Sequence, residues 1–210
     1  MTRFVGILTA ATLLLTGCSG GLSQLTDTLF GRDVPANNAR ASLTRAQIDG
    51  AGRLLLLAEL PELGLSATLA QVAHNGAVEV WTTADGVTLS LNNGVLVATR
   101  ALGYDLISAD VSGTLAALNG GGGADYPRIH SYLGGNGQTV FRSFICSLSA
   151  PVAESFVSFE RQRQTHRYTE TCHSSDVMIE NTYWLGHEGA MWRARQWVGP
   201  EIGYLTTEKL

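Results

Sequence analysis

The sequence predicts an all-β, or nearly all-β, fold: an antiparallel β-barrel or sandwich-like domain of about eight to eleven strands with one or two short helices. Two observations lead to this prediction. Between residues 76 and 99, β-branched and apolar residues alternate with polar ones and are interrupted by Asp85-Gly86 and Asn93-Gly94. From residue 139 onward, segments rich in aromatic and β-branched residues are separated by Gly, Pro, Ser or Asn.

An export signal opens the chain. Arg3 precedes an apolar run from Phe4 to Leu15, which has signal-peptide length and is too short to cross a bilayer as a helix. Small residues at positions 16 and 17 and then Cys18 are typical of the bacterial lipoprotein signal. We expect residues 1–17 to be removed and Cys18 to be acylated, because two or more acyl chains anchor a protein stably. The alternative is an ordinary secretory signal with a cysteine at this position by chance.

Chain length and net charge limit the number of domains and the class of partner. The mature chain, residues 18–210, is long enough for one domain with a substantial core. The whole chain has 14 bases and 18 acids, and loss of Arg3 leaves 13 − 18 = −5. This balance argues against nucleic acid as a partner, since nucleic acid requires a basic face. No second apolar run approaches the roughly 18 residues of a membrane-spanning helix, so we expect the protein to be tethered to a membrane without crossing it.

A tether and a short helix follow the lipid site. Residues 18–42 are rich in Gly, Ser, Thr, Asn and Asp without sustained periodicity, which predicts a flexible tether. A short helix is predicted to begin at Ser42 or Thr44, because Gln47 stands three residues after Thr44 as in a capping box. A single antiparallel β domain is then predicted over residues 43–210.

A three-stranded antiparallel meander is predicted over residues 76–99. Asp-Gly and Asn-Gly pairs separate its runs and tolerate the positive φ angles of tight hairpin turns. Ser112 to Leu118 is predicted to form one or two helical turns. The glycine run that follows, Asn119 to Gly123, is predicted to be a surface loop, because no lysine or phosphate-binding glycine pattern accompanies it. The other predicted strands are Thr139 to Leu148, Phe156 to Arg161, Arg163 to Thr171, Val177 to Trp184 and Met191 to Val198.

Two cysteines remain once Cys18 carries lipid. In an oxidising compartment the favoured interpretation is a bond between Cys146 and Cys172. Such a bond closes a loop of about 26 residues and stabilises by roughly 3–4 kcal/mol in the chain-entropy model. Two reduced, buried thiols are one alternative. A zinc site is another, since Cys172-His173 is near His166 and His187, although no C-x-x-C or H-E-x-x-H spacing supports it. We expect neither a metal nor a cofactor.

Catalytic patterns are scarce. The sequence has no G-x-S-x-G, Walker or dinucleotide-binding motif. The carboxylate pairs Asp105/Asp110 and Glu59/Glu62 have spacings that occur by chance in most chains, and glycosidase chemistry would also require a cleft. We therefore expect a protein that is not an enzyme.

A first arginine cluster lies in the predicted strands near residue 165. Arg161, Arg163 and Arg167 share one face of an extended strand, whereas His166 points the other way. One interpretation is a cationic strip that binds an acidic polymer. The other is an ordinary solvated outer face.

A second cluster combines arginine with tryptophan, residue types that stack on sugar rings and bond hydroxyls or carboxylates. Trp192 and Trp197 lie on opposite faces of an unbroken strand, because they are five positions apart. The small Ala194 lies on the face of Trp192, whereas Arg193 and Arg195 lie on the face of Trp197, and unpaired arginines are costly to bury. We therefore predict that Trp192 faces the core and that the other face binds an acidic glycan or a partner protein. A β-bulge between the tryptophans would change this assignment, and ordinary alternation with aromatics in the core is the alternative.

The same C-terminal run carries a family resemblance. The sequence WRARQWVGP from Trp192 to Pro200, followed by Gly203-Tyr204, resembles the YjbF or GfcB type of group 4 capsule lipoproteins. The hairpin from Trp81 to Leu89, the Asn93-Gly94 turn and the run from Thr99 to Leu106 resemble it too. The resemblance covers most of residues 45–205, with Ala101 standing where the family usually has glycine.

The resemblance implies an outer-membrane lipoprotein on the periplasmic side that serves the assembly or export of capsule or other exopolysaccharide. It also implies two partners, a periplasmic polysaccharide-export protein and a large outer-membrane β-barrel protein. No catalytic residue can be carried over, because none is established for the family. Ser19, directly after the lipid-bearing cysteine, fits outer-membrane sorting, since Asp there would retain the protein in the inner membrane. A polysaccharide-binding module and a sugar-modifying enzyme are the two alternative functions.

Overall fold

Thirteen antiparallel strands form one sheet that curls into a nearly closed barrel. The computed structural model describes residues 38–210, so the predicted signal peptide and Cys18 lie outside the described residues. None of the helices in this part of the chain has the length and apolarity to span a membrane. The strands are β1 Leu55–Leu60, β2 Leu65–Asn75, β3 Val78–Thr82, β4 Thr88–Asn92, β5 Val95–Arg100, β6 Leu106–Asp110, β7 Gly123–Leu133, β8 Thr139–Leu148, β9 Val152–Ser158, β10 Arg161–His173, β11 Met178–Leu185, β12 Met191–Gly199 and β13 Gly203–Lys209. The helices are α1 Ala39–Ser42, α2 Arg45–Gly50 and α3 Ser112–Gly120, and two 3-10 turns lie at Pro61–Leu63 and His187–Gly189.

Strand order explains the closure of the barrel. The sheet runs β5-β4-β3-β2-β1-β13-β12-β11-β10-β8-β7-β6, and β9 pairs with the first half of β10 outside this path. β5 and β6, the two ends of the order, lie side by side. Their link is made by side chains: the Leu106 N–H donates to Thr99 Oγ1 at 3.0 Å, and the Arg100 guanidinium donates to the Leu106 carbonyl at 3.3 Å.

Because neighbouring strands run in opposite directions, every second connection along the chain lies at the same end of the barrel. The connections β1–β2, β3–β4, β5–β6, β7–β8, β10–β11 and β12–β13 therefore share one end, which we name the β1–β2 end. The connections β2–β3, β4–β5, β6–β7 and β11–β12 lie at the opposite end, where α3 joins β6 to β7.

The predicted meander is confirmed as β3, β4 and β5. Asn93 and Gly94 both have positive φ, 48° and 85°, as the two central residues of a type I′ turn require. Glycine is needed at position 94 for a second reason. A Cβ there would lie 2.4 Å from the side chain of Met191.

The predicted number of strands is wrong: thirteen are present, whereas about eight to eleven were predicted. β7 begins inside the glycine run that was predicted to be a loop, since Gly123 already belongs to the strand. The turn between β9 and β10 also lies elsewhere, at Phe159 and Glu160 rather than at residue 162, and both residues have positive φ. Turn prediction relies on Gly, Asn and Asp in such positions, so the sequence does not mark this turn.

Side chains fill the barrel, so its interior is a packed core. One cluster includes residues from most of the strands. Its fully buried members are Leu56, Leu69, Trp81, Leu89, Leu91, Leu96, Leu106 and Val198. The Gln196 side chain adds polar links across the core, accepting the Leu96 N–H at 2.8 Å and donating to the Gly94 carbonyl at 3.0 Å.

The chain enters the described structure along the outer surface of β1, β2 and β13. Ala39 is fully buried, and its N–H donates to Ser66 Oγ at 2.7 Å. The guanidinium of Arg40 lies 2.7 Å from the Glu59 carboxylate and 2.9 Å from that of Glu208. Residues 39–42, the last of the predicted tether, therefore form a helix packed on the barrel. The predicted capping box of the next helix is confirmed at Thr44 and Gln47.

Candidate functional site

A two-stranded arm covers the outside of the barrel where most of the predicted site residues lie. We use the name arm for residues 152–167, which comprise β9 and the paired half of β10. Trp184 Nε1 on β11 donates to Glu154 Oε1 on the arm at 2.9 Å. Ser158 Oγ, at the tip of the arm, donates to the carboxylate of Glu208 on β13. The arm thus spans the outer faces of β11 to β13.

Arg193 is held at the centre of this contact. Its Nη2 lies 2.6 Å from Glu208 Oε2, and its Cζ lies 3.8 Å from the centre of the Phe156 ring on the arm. Burial alone would raise the pKa of Glu208, but hydrogen bonds from Arg40 and Ser158 and the arginine charges outweigh it and lower that pKa. The carboxylate therefore stays ionised and ties Arg193, the arm and α1 together.

Two further arginines lie against aromatic rings. The Cζ of Arg163, on the arm, is 3.7 Å from the centre of the Trp192 ring. Burial, with the positive charges of neighbouring arginines, lowers the pKa of Arg163. The Cζ of Arg195 is 3.4 Å from the centre of the Tyr204 ring on β13. Guanidinium groups favour this position over an aromatic face, so both arginines have an intramolecular partner.

The other two arginines of the first cluster form ion pairs. Arg161 Nη2 lies 2.9 Å from Asp49 Oδ1 on α2, and Arg167 Nε lies 2.7 Å from Glu154 Oε2 on the arm. Both pairs are partly exposed, so each contributes little to stability. An acidic glycan would have to compete with these carboxylates, and binding of a glycan by the arginines stays a prediction.

The predicted position of Trp197 is wrong. Its side chain is 6% exposed and packs in a core cluster with Phe144, Cys146, Cys172 and Ile179. The ladder between β11 and β12 ends at the Thr182–Arg195 pair. Beyond it, Asn181 Oδ1 on β11 accepts the Trp197 N–H at 2.8 Å, while Trp197 stays paired with Tyr204 on β13. The indole lies where β12 leaves the β11 ladder, next to a register shift between Trp197 and Gly199 in the β12–β13 ladder.

Trp192 is half-buried, and a β-bulge is the reason. Trp184 pairs with Arg193 and Leu185 pairs with Met191, which leaves Trp192 without a partner on β11. A bulge of this kind redirects a side chain, and here the indole lies under the Arg163 guanidinium. The simple inward orientation expected for Trp192 therefore does not describe its contacts.

The sequence prediction missed a polar network inside the barrel. Arg128 on β7 and Glu170 on β10 are both fully buried, with Arg128 Nη1 3.0 Å from Glu170 Oε2. Glu170 also accepts four hydrogen bonds of 2.6–2.9 Å, from the hydroxyls of Thr114, Tyr126 and Tyr183 and from the Asn181 amide. Burial alone would raise the pKa of Glu170, but the Arg128 charge and these hydrogen bonds outweigh it and lower that pKa.

His130 extends the network toward the β1–β2 end. Arg128 Nε donates to His130 Nε2 at 2.9 Å, and a guanidinium can only donate, so Nε2 carries no proton. Burial, helped by the charges of Arg128 and Arg142, lowers the pKa of His130 well below its usual value. The Tyr132 hydroxyl lies 3.0 Å from His130 Nδ1 and donates to the Val198 carbonyl at 2.7 Å. The chain of hydrogen bonds thus links β7 to β12 across the barrel.

One sequence signal could have located this network. Tyr168 and Glu170 alternate along the predicted strand Arg163 to Thr171, and Cys172 continues the alternation one residue past its predicted end. The acid therefore stands between an aromatic residue and a cysteine of the predicted disulfide. An acid on such a face is expected to be buried and paired. The partner Arg128 carries no comparable signal, because Pro127 and the glycine run before it obscure the strand.

The predicted disulfide is confirmed. Cys146 on β8 and Cys172 on β10 are directly opposite each other, and their sulfur atoms are 2.02 Å apart. Both lie near Glu170, and in residues 38–210 these three form a cluster of metal-ligand residue types. The sulfurs are bonded to each other, so neither is available as a thiolate for zinc.

Replacing both cysteines with alanine should lower the free energy of unfolding by roughly 3–4 kcal/mol, because the bond closes a 26-residue loop in the unfolded chain. Thermal unfolding followed by circular dichroism would measure the loss. Thiol titration of the mature wild-type protein, unfolded without reductant, should find no free cysteine other than an unacylated Cys18. Two additional titratable thiols would contradict the bridge.

An apolar pocket of about 170 Å³ opens at the β1–β2 end. It lies between the β1–β2, β3–β4 and β5–β6 connections, with Thr83 and Asp85 among its lining residues. Most of the remaining lining is aliphatic and comes from Leu60, Leu65, Leu69, Val87, Leu89, Leu102 and Leu205.

Comparisons with known proteins agree with this architecture. Residues 22–210 match the sequence profile of a family described as group 4 capsule polysaccharide lipoprotein gfcB, YjbF. The fold is similar to the crystal structure of the hypothetical lipoprotein YmcC from Escherichia coli K12, with a TM-score of 0.71 and 18% sequence identity. That similarity covers 85% of this chain and 96% of the other. No curated protein matches the chain.

Proposed function

The chain belongs to the YjbF family of group 4 capsule polysaccharide lipoproteins, and from this membership we propose that it is a non-enzymatic accessory factor in the assembly or export of capsule or other exopolysaccharide. We place it on the periplasmic face of the outer membrane, held by lipid on Cys18. The observation that carries the proposal is the extent of the family match, which begins four residues after Cys18 and includes the whole barrel.

The chemistry of the barrel interior supports a role without catalysis. Glu170, Arg128 and His130 have shifted pKa values, which is a property that active-site residues often share. Here all three are fully buried and bonded to one another and to neighbouring side chains. Their pKa shifts are therefore explained by a structural network that links β7, β10 and α3.

The proposed partners are the periplasmic polysaccharide-export protein and the outer-membrane β-barrel protein that the family resemblance implies. Direct binding of acidic polysaccharide is the second candidate function. One observation favours it: Arg195 is partly exposed beside Tyr204 and forms no salt bridge within residues 38–210. Such a cation and ring can together contact a sugar and its carboxylate.

Replacing Cys18 with serine should abolish lipid attachment, because the thiol is the acylated atom. Radiolabelled palmitate should appear on the wild-type protein and not on the variant, and the variant should leave the outer-membrane fraction. Polysaccharide export in a strain lacking the native gene should be restored by the wild type and strongly reduced with the variant.

Ser19→Asp provides the matched control. It keeps Cys18, so the palmitate label should persist while the protein moves to the inner membrane. Label on the Cys18→Ser variant would refute the anchor, and unchanged export in a strain that lacks the gene would refute the accessory role.

A further inference from the structure

The β1–β2 end of the barrel exposes an unusual number of large apolar side chains. They come from three separate connections and the strand ends beside them: Leu63 and Leu65, Tyr104, and the group Leu133, Val140 and Phe141. Exposed apolar residues scattered singly are normal, whereas a group gathered on one surface marks an interaction site. Toward the opposite end of the described structure, the exposed large apolar side chains are fewer: Leu54, Val72 and Val152, together with Val157 on the arm.

The β7–β8 hairpin forms the most apolar part of this end. Leu133, Val140 and Phe141 are 66%, 50% and 68% exposed. The sequence between Leu133 and Phe141 is LGGNGQTVF, which contains no charged residue. A neutral tip can enter the interface of a bilayer without desolvating a charge, a step that would be costly.

The N-terminal segment enters the described structure near the same end. Ala39 is bonded to Ser66, the second residue of β2, and β2 begins at the β1–β2 end. Cys18 lies 21 residues before Ala39, so the chain between them spans at most roughly 75 Å. An anchor on Cys18 therefore allows this end, near which the described chain begins, to contact the bilayer.

We infer that the β1–β2 end rests on a lipid bilayer, with the tip of the β7–β8 hairpin inserted into the bilayer interface. This inference rests on the proposed function for the location of the lipid anchor. Exposed charged residues at this end include the base Arg100 and the acids Glu62, Asp85, Asp176 and Glu201. Acids outnumber bases in this set, so the surface suits zwitterionic lipids better than anionic ones. The apolar pocket that opens at the same end belongs to the same surface.

Flotation with vesicles tests the surface without the anchor. The mature chain carrying Cys18→Ser should float with phosphatidylcholine vesicles at high lipid concentration, and binding should persist at 1 M salt, because apolar contacts are not screened. The double substitution Leu133→Asp/Phe141→Asp should reduce the bound fraction at least tenfold. Val157→Asp is the matched control, because Val157 is also 68% exposed but lies on the arm, and it should bind like the parent.

Two results would overturn the inference. One is a parent chain that does not float at any lipid concentration, and the other is a double variant that floats as well as its parent while all variants keep the same melting temperature. Concentration-dependent dimers that disappear in the double variant, without vesicle binding, would assign this end to contacts between copies instead.

A second measurement uses the lipid-anchored protein in the same vesicles. An environment-sensitive dye on Asn136→Cys, at the tip of the hairpin, should shift to shorter emission wavelength and be quenched by spin-labelled lipids. The same dye on Asn75→Cys, which is exposed at the opposite end, should show neither effect. Equal signals at both positions would refute the orientation, and this result would leave the acylation of Cys18 untouched.

Discussion

Glu170→Gln is expected to lower the free energy of unfolding by about 3–5 kcal/mol, since it leaves the buried Arg128 cation without a counter-charge. The substitution keeps the size of the side chain, so the loss measures charge and hydrogen bonding rather than packing. Thermal unfolding should shift downward by roughly 6–20 °C in a domain of this size. Denaturant titration with the disulfide intact would give the free energy directly.

Glu154→Gln is the control for this experiment. Glu154 also accepts from an arginine, Arg167, and from the Trp184 indole, but its side chain is partly exposed. Its replacement should cost no more than about 1 kcal/mol, as for other exposed pairs. Equal losses for the two variants would contradict the claim that burial makes the interior pair important.

The same network should make stability depend on pH. His130 has a lowered pKa in the folded state, so stability should begin to fall as pH drops below about 6.5, where the unfolded chain binds a proton that the folded chain does not. Glu170 also has a lowered pKa, so its contribution is present above about 4.5 and is lost as pH falls through the folded value. The Glu170→Gln variant should show a weaker second, more acidic part of this dependence, and Glu208, whose pKa is also lowered, should account for some of what is left.

Trp197→Ala is expected to cost about 3–5 kcal/mol, the usual range for removing a buried tryptophan. The indole fills space beside the disulfide and stacks on His130, with ring centres 5.8 Å apart and an interplanar angle of 16°. The cavity left behind would also adjoin Phe144, whose ring centre is 5.8 Å from that of Trp197. Denaturant titration of the purified variant would measure the loss.

Trp192→Ala is the matched comparison. Trp192 is half-buried and contacts the arm through Arg163, so its removal should cost about 1–2 kcal/mol, mainly through the lost cation–π contact and packing. A larger loss for Trp192 than for Trp197 would contradict the burial described for the two side chains.

Local sequence patterns were sufficient to predict several structural features of this protein and its family. Period-two alternation with Asp-Gly and Asn-Gly turns was sufficient for the β3–β5 meander, because hairpin turns depend on φ angles that few residue types adopt. The capping box at Thr44 and the pairing of Cys146 with Cys172 also followed from the sequence, the first by spacing and the second by counting cysteines in a chain predicted to be exported. The C-terminal run starting at Trp192 indicated the family, and the match over residues 22–210 confirms this assignment.

Tertiary structure alone decided the positions of the arginines and tryptophans. Strand alternation assigns faces only while a ladder continues, and here a bulge at Trp192 and the end of the β11–β12 ladder interrupt it. The sequence also gives no sign that the arm folds over β11 to β13, so Arg163 and Arg193 were expected on a free surface although both lie in that contact. Likewise, Arg128 and Glu170 are 42 residues apart and meet only because β7, β8 and β10 are neighbours in the sheet. Pairing between distant strands places these groups, and such pairing depends on how the whole sheet closes rather than on any local pattern.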